Sequence, residues 1–411
     1  MTRKGPASSR SLVRSPDSPN SERETLVPQV FVPDRASCGL TTSGTRTRAP
    51  RLRAVRWIIR VAALVLLGLV LVSIPAGVAD SVDAGSKLLQ ARALVGNASL
   101  SIPPQIRGES VDHVFRGRDG LWYSIHGIGL PLVWIVPVAM ANVVTRSTGM
   151  SASVLAGFAV SFVNPLIIAG TIASLVLILR RLAASRRAQI VTVAVFALGA
   201  MTLPYANSCW GEPLVGLLIL WSVAAPLILV DSYRTACISR MRVSAATLVR
   251  PEMVLLCSPL LLIYRENWRR GAALCAGASA GPLIVLLLNF LTTGSIFVFG
   301  HGDEVTRFGD PRPGFWGLTL GLERSVVVYC PGLVLRTFSW SCLPAAGRLG
   351  RARLCVLTTV GLYFSFYAAW HGWTGGYCFG PRYLYSLAAI AALPIGPALC
   401  AWVERLTYAS A

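Results

Sequence analysis

Lysine is nearly absent from this chain: of 38 basic residues, only Lys4 and Lys87 are lysine. Acids are scarce too, with 18 Asp and Glu in 411 residues, and charged side chains total 14%. An ordinary soluble domain carries about a quarter charged residues, so that class is excluded. The ten cysteines contain no C-x-x-C pair, and most lie inside apolar runs. That spacing excludes the usual zinc and disulfide frameworks and leaves cysteine as a small buried hydrophobe. Alternation of apolar and polar residues is missing as well, which excludes a membrane β-barrel.

What the chain has instead is continuous apolar sequence, with a mean hydropathy of +0.60. The apolar segments are 57–79, 127–144, 151–179, 189–206, 212–230, 245–264, 271–292, 325–343, 354–370 and 383–403. Runs of this length predict an all-α polytopic membrane protein. Residues 1–53 are rich in Ser, Pro, Thr and Arg and predict a disordered basic tail. The membrane domain is expected over 54–404, with 405–411 as a short tail. The formal net charge of +20 does not indicate nucleic acid, because the arginines sit in the tail and in short loops between apolar runs.

Those arginines also predict topology. If all ten segments cross, the loops Arg180–Arg187 and 231–242 face outward with four and three arginines, against the positive-inside tendency. The conflict disappears if two segments do not cross. Segment 127–144 is short and holds Pro131 and Pro137; segment 245–264 is interrupted at Arg250-Pro251. The first is expected to lie in the outer interface or dip in, and the second to re-enter. Eight spans then remain, with loops 180–187, 231–244, 265–270 and 345–353 cytoplasmic and both termini inside. Loops 80–150, 207–211, 293–323 and 371–382 face the other side, as expected of a multi-pass protein of a cell membrane.

The outer side gathers the polar chemistry. Residues 80–126 hold Asp80, Asp83, Glu109, Asp112 and Asp119, with His113 and His126. Leu88, Ala91 and Leu94 or Val95 recur at helical spacing after Asp83, which predicts an amphipathic interfacial helix with Asp83 in its first turn. Asp83 there is either an N-terminal cap or a functional acid, with Asp80 as the other cap candidate. Glu212 opens an outer-facing span, where a helix N-terminus favours an acid. His301, Asp303 and Glu304 form H-G-D-E in an outer loop; no metal site is expected from them, and no cofactor.

Several of these residues fall in a pattern. An acid just after the first span precedes Ala91-Arg92-Ala93-Leu94-Val95, then Asp119-Gly120 with Tyr123-Ser124, and Gly127-Ile128-Gly129-Leu130. Glu212-Pro213 follows a short turn, and Arg250-Pro251 breaks a later segment. Trp370-His371-Gly372-Trp373-Thr374-Gly375-Gly376 runs into Phe379-Gly380-Pro381-Arg382-Tyr383-Leu384. From about 75 to 400 this resembles the bacterial membrane glycosyltransferases of the C-type (GT-C) superfamily, relatives of protein mannosyltransferases and aminoarabinose transferases. The last motif is the most specific.

The resemblance implies a GT-C-like bundle with a large first extracytoplasmic loop (80–150, containing interfacial helices) and a second outer loop at 293–323. It implies inverting transfer of a sugar from a polyprenyl-phosphate donor to a cell-envelope glycan, lipid or protein, within membrane lipid. The first-loop acid, Asp83 with Asp80 in reserve, would be the base. Arg382, and after it Arg324, would hold the donor phosphate, since arginine's planar fork suits phosphate oxygens. Tyr123, His126, Glu212, His301, Trp370 and Trp373 are the expected substrate contacts. The chain departs from the family's Y-S-K-Y-P-P-G, which here is Tyr123-Ser124-Ile125-His126-Gly127-Ile128-Gly129, without the lysine or prolines. Two other classes fit a chain of this composition: a lipid or small-solute transporter or flippase, which internal inverted repeats would favour, and a non-catalytic assembly partner keeping the fold.

Overall fold

The computed structural model describes residues 82–103, 113–228, 233–265, 267–300, 307–334, 347–376 and 378–409, with single positions at 64 and 68. All of these fall in one unit, Arg46–Ala411. The expectations for the tail 1–53, the first span 57–79 and Asp80, Glu109, Asp112, His301, Asp303 and Glu304 lie outside the described residues.

In chain order, helix α1 (Val82–Asn97) leads to a hairpin of β1 (Val114–Arg116) and β2 (Trp122–Ser124). Then come α2 (Gly129–Thr148), α3 (Ala152–Ser161), α4 (Val163–Arg181), α5 (Arg186–Gly199), α6 (Thr202–Ala206), α7 (Glu212–Ile228) and α8 (Tyr233–Val249). A 3-10 helix at Pro251–Leu256 enters α9 (Cys257–Tyr264), followed by α10 (Trp268–Ala278), α11 (Ala280–Thr293), α12 (Pro311–Thr319), α13 (Val326–Tyr329), α14 (Pro331–Val334) and α15 (Gly347–Ala369). A second 3-10 helix at Arg382–Leu387 leads to α16 (Ala388–Ala392) and α17 (Ile395–Ala409).

Among the described residues, four stretches are long and apolar enough to cross a membrane: Gly129–Thr148, Ala152–Arg181, Trp268–Thr293 and Leu349–Ala369, the shortest of 20 residues. At the α-helical rise that length reaches about 30 Å. The ends follow local chemistry. Ser185 caps α5 and Asn267 caps α10 through side-chain oxygens, while Gly149 and Gly294 close α2 and α11 in the left-handed region.

Helix α7 is the hub. It packs on α4, α6, α8, α9, α15, α16 and the second 3-10 helix. Its residues Val215, Ile219, Leu220 and Val223 sit in the larger core with Leu175, Val243, Leu256 and Ile390. A smaller core joins Ala84 and Ala91 of α1 to Leu130 and Trp134 of α2 and Val160 of α3, with Leu88 and Val95 packed against it. The apolar stripe expected on α1 is therefore a packing face.

Four expectations need correction. Segment 127–144 is not too short or too broken for a regular helix. Pro131 falls in the first turn of α2, where no N–H is missed, and Pro137 is absorbed in a helix that continues to Thr148. Residues 233–244 are not loop but most of α8, whose arginines alternate with apolar groups; Arg242 stacks over Trp221 at 5.1 Å. Segment 383–403 is three pieces, not one helix, because it opens as a 3-10 helix and turns again before Ile395. The stretch 293–323, expected as a loop, contains α12, started by Asp310 and Pro311. The break expected at Arg250-Pro251 is present. Arg250 is extended (φ −142°, ψ 108°), as a residue before proline prefers.

Candidate active site

Four elements bring their charges together. Asp83 lies in the first turn of α1. Lys87 and Gln90 follow at four and seven residues, so all three share one helix face. Arg382 opens the second 3-10 helix, and its Nη2 donates to Asp83 Oδ2 at 2.6 Å. Its Nε donates to Glu212 Oε1 at 2.7 Å. Arg250 Nη2 donates to that same Glu212 oxygen. Behind it, Glu252 Oε1 is 3.7 Å from Arg250 Nη1 and accepts from the Tyr367 hydroxyl at 2.5 Å. Aromatic rings floor the arginines: Trp210 lies 4.6 Å under Arg382, and Tyr383 4.9 Å under Arg250.

Backbone contacts hold these pieces in place. The Asn164 amide of α4 donates to the carbonyls of Ser208 at 2.6 Å and Trp210 at 2.9 Å, fixing the turn that delivers Trp210 and Glu212. Gly216 lets α7 approach the second 3-10 helix: a Cβ there would lie 3.2 Å from the Ser386 carbonyl oxygen. Gly127, just after His126, packs so closely on the end of α8 that a Cβ would lie 2.5 Å from the Leu248 oxygen. That contact seats the first loop against Arg250.

The other side of Asp83 faces imidazoles. His113 Nδ1 is 2.7 Å and His126 Nε2 3.5 Å from Asp83 Oδ1, with the two rings edge-on at 5.4 Å. His113 adopts φ +65°, an uncommon conformation for a residue with a side chain. Burial works against charge on Asp83. The hydrogen bonds from the two histidines, then the charges of Arg382 and Lys87, overrule it and hold the carboxyl far below its usual range. Burial is also the main influence on Lys87, pulling its ammonium down to about 8 although Asp83 supports its charge.

Glu212 is completely buried. Its Oε1 takes both arginines, and its Oε2 has no hydrogen-bond partner among the described residues. The centre thus balances Asp83, Glu212 and Glu252 against Lys87, Arg250 and Arg382. Asp83, His113 and His126 also present ligand atoms within 4.8 Å of one another, the spacing a divalent cation would need.

Of the residues named from sequence, Asp83, Arg382, Glu212 and His126 meet here. Arg324 does not touch them. It donates to the carbonyls of Cys378 and Gly376, the second at 2.7 Å, and ties down the glycine loop before Arg382. Gly375, Gly376 and Gly380 all have positive φ there. Tyr123 gives its hydroxyl to Asp119 at 2.7 Å within the hairpin. Trp370 packs edge-on against Tyr383 at 5.3 Å, and the Trp373 ring fills the space above Gly317 of α12. Sequence reasoning missed Lys87, Glu252 and Trp210, and took Arg250 only as a helix breaker. The i, i+4 spacing of Asp83 and Lys87 in a chain with two lysines was the available signal.

No protein-family profile matches the chain, and no curated protein does. Two solved structures share its architecture. ArnT from Cupriavidus metallidurans, bound to undecaprenyl phosphate, matches with a TM-score of 0.55 and 16% identity over 84% of this chain and 60% of its own. The oligosaccharyltransferase AglB from Archaeoglobus fulgidus, in complex with an inhibitory peptide and a dolichol-phosphate, matches with a TM-score of 0.52 and 12% identity over 86% of this chain and 51% of its own. The chain therefore spans little more than half the length of these proteins. Its arrangement of helices is nonetheless theirs, and this chain shares the fold of these two membrane proteins.

Proposed function

We propose that this protein is a membrane glycosyltransferase that moves a sugar from a polyprenyl-phosphate donor to an acceptor hydroxyl on the extracytoplasmic face, with inversion and with its N-terminus in the cytoplasm. One observation carries the reading. A largely buried carboxylate and a buried guanidinium, 299 positions apart in sequence, lie 2.6 Å apart in one centre. A sugar phosphate needs that combination. The acceptor oxygen attacks the anomeric carbon, the bond from that carbon to the phosphate oxygen breaks with its electron pair leaving on phosphate, and the acceptor proton goes to Asp83. Charge grows on the departing phosphate, where a fixed cation stabilises it.

Arg382 spends Nη2 and Nε on Asp83 and Glu212. A guanidinium has five N–H donors, so three remain for phosphate oxygens. Lys87, one turn along α1 from Asp83, adds a second cation whose charge reaches Asp83 and Arg382. A phosphate that engages Arg382 draws it from Asp83 and raises the basicity of the carboxylate as the donor arrives. His113, whose side chain is 39% exposed, offers the proton its way out. Fold likeness to a protein bound to undecaprenyl phosphate supports the donor class.

The test is transfer from a panel of polyprenyl-phosphate sugars by protein in proteoliposomes. Asp83→Asn is expected to lower turnover by about 10²–10⁴-fold, the range for general-base catalysis, while donor binding persists. Turnover near that of the wild type removes Asp83 from its role.

A further inference from the structure

A cavity of 90 Å³ opens on the histidine side of the centre, between α1, the hairpin, the first 3-10 helix and α11. A single water needs about 10–15 Å³ by the same measure, so the space suits a group the size of one sugar ring. Its polar lining includes Gln90, Ser124, His126, Asn289 and Thr292, and Phe115, Tyr123 and Phe299 supply aromatic rings. Among the described residues, no Lys, Arg, Asp or Glu lines it.

Gln90 is 6% exposed, and its amide oxygen has no hydrogen-bond partner among the described residues. A buried acceptor left in that state forfeits the hydrogen bond it had with water, which a ligand hydroxyl would restore. Asn289 is half-committed: its N–H₂ donates to the Ile296 carbonyl at 3.3 Å, leaving its oxygen as an acceptor. His126 belongs to both places. It lines the cavity, and its Nε2 is 3.5 Å from Asp83 Oδ1.

We propose that this cavity seats the acceptor, and that the acceptor end entering it is a neutral, hydroxyl-bearing sugar. The assignment rests on the transferase reading above and gives it its second substrate. Carbonyl acceptors select hydroxyl donors, and the aromatic rings take the C–H face of a sugar ring. Arg382 sits on the other oxygen of Asp83, away from His126, where it suits an anion. The carboxylate thus divides a charged half that takes phosphate from a neutral half that takes the attacking alcohol.

The experiment uses the full chain in nanodiscs and reads binding rather than turnover. Probes are p-nitrophenyl glycosides of neutral hexoses and pentoses, the corresponding glucuronide, a serine-containing peptide and undecaprenyl phosphate. Neutral glycosides are expected to bind saturably. Gln90→Leu and Asn289→Leu should each weaken them about tenfold, the worth of one good hydrogen bond, without changing undecaprenyl phosphate binding. Gln90→Leu also removes the orphan oxygen, so the fold should tolerate it. Equal or tighter binding of the glucuronide overturns the proposal, as does capture of the peptide in place of glycosides, or variants that bind like the wild type. Glycoside binding without undecaprenyl phosphate binding would keep the cavity assignment and remove the transferase reading.

Discussion

Replacing Glu212 by glutamine separates two accounts of that residue. As the first residue of α7, an acid interacting with the helix N-terminus is worth about 0.3–1 kcal/mol. As the bridge between two buried arginines it is worth more. Its Oε1 accepts from Arg382 at 2.7 Å and from Arg250, and the side chain is completely buried. Glutamine keeps the shape and removes the countercharge. Breaking one partner out of a buried ion pair costs about 3–5 kcal/mol, chiefly because the other charge stays buried and uncompensated. Here Asp83 still faces Arg382, and Glu252 stands 3.7 Å from Arg250. Those carboxylates cushion the loss, so Glu212→Gln is expected near the lower end, at about 3 kcal/mol. SDS-induced unfolding in mixed micelles, followed by tryptophan emission, reads it, with Trp210 under Arg382 as a local reporter. Arg250→Met in the same background should recover part of the loss, a coupling of about 1 kcal/mol or more. A cost below about 1 kcal/mol with no such coupling would reduce Glu212 to a helix-end acid.

The remaining predictions concern cations, protons and metal. Lys87 titrates near 8 in the folded protein against 10.5 when free; donor affinity should fall as pH rises through about 8, and Lys87→Met should abolish that fall. The unfolded chain binds the extra proton between those two values, so the Lys87 contribution to stability should grow from pH 8 to 10.5, and denaturation of Lys87→Met should lack it. Asp83 is held ionised far below its usual range, so its stabilising interactions should persist, and turnover should not fall through its titration, between pH 7 and 5; an acid limb that Asp83→Glu displaces would contradict this. Arg324→Ala frees the carbonyls of Gly376 and Cys378 and should speed hydrogen exchange over 376–381 with a loss of about 1 kcal/mol; unchanged exchange would refute the anchoring role. Transfer should survive EDTA, because Asp83 already receives His113 and Arg382 at 2.7 and 2.6 Å. Loss restored by a divalent cation would instead place metal on Asp83, His113 and His126.

Motif spacing located Asp83, Glu212, His126 and Arg382 because each sits at the end of an apolar run, where hydropathy changes sharply. Lys87 and Glu252 were harder to see. Lys87 lies past the first turn of α1 and Glu252 in the first turn of the 3-10 helix, and only the fold shows which face each presents. Helix α8 escaped hydropathy because its interior-facing Ala236, Val243 and Ala246 alternate with arginines at a period that averages to neutral. Proline misled in the opposite direction. Pro131 and Pro137 predicted an irregular segment, yet one occupies a first turn and the other is tolerated within α2. The strands of the hairpin are three residues each, too short for an alternation to register.

The span between Asp83 and Arg382 has a consequence for biosynthesis. Ribosomes make the acid 299 residues before the guanidinium it meets, so through that whole stretch of synthesis Asp83 has only Lys87 and the two histidines for support. The second 3-10 helix completes the centre like a clasp. A chain stalled before position 382 would hold α1 to α15 and still lack the guanidinium that pairs with Asp83, which ties completion of the charge cluster to synthesis of the second 3-10 helix.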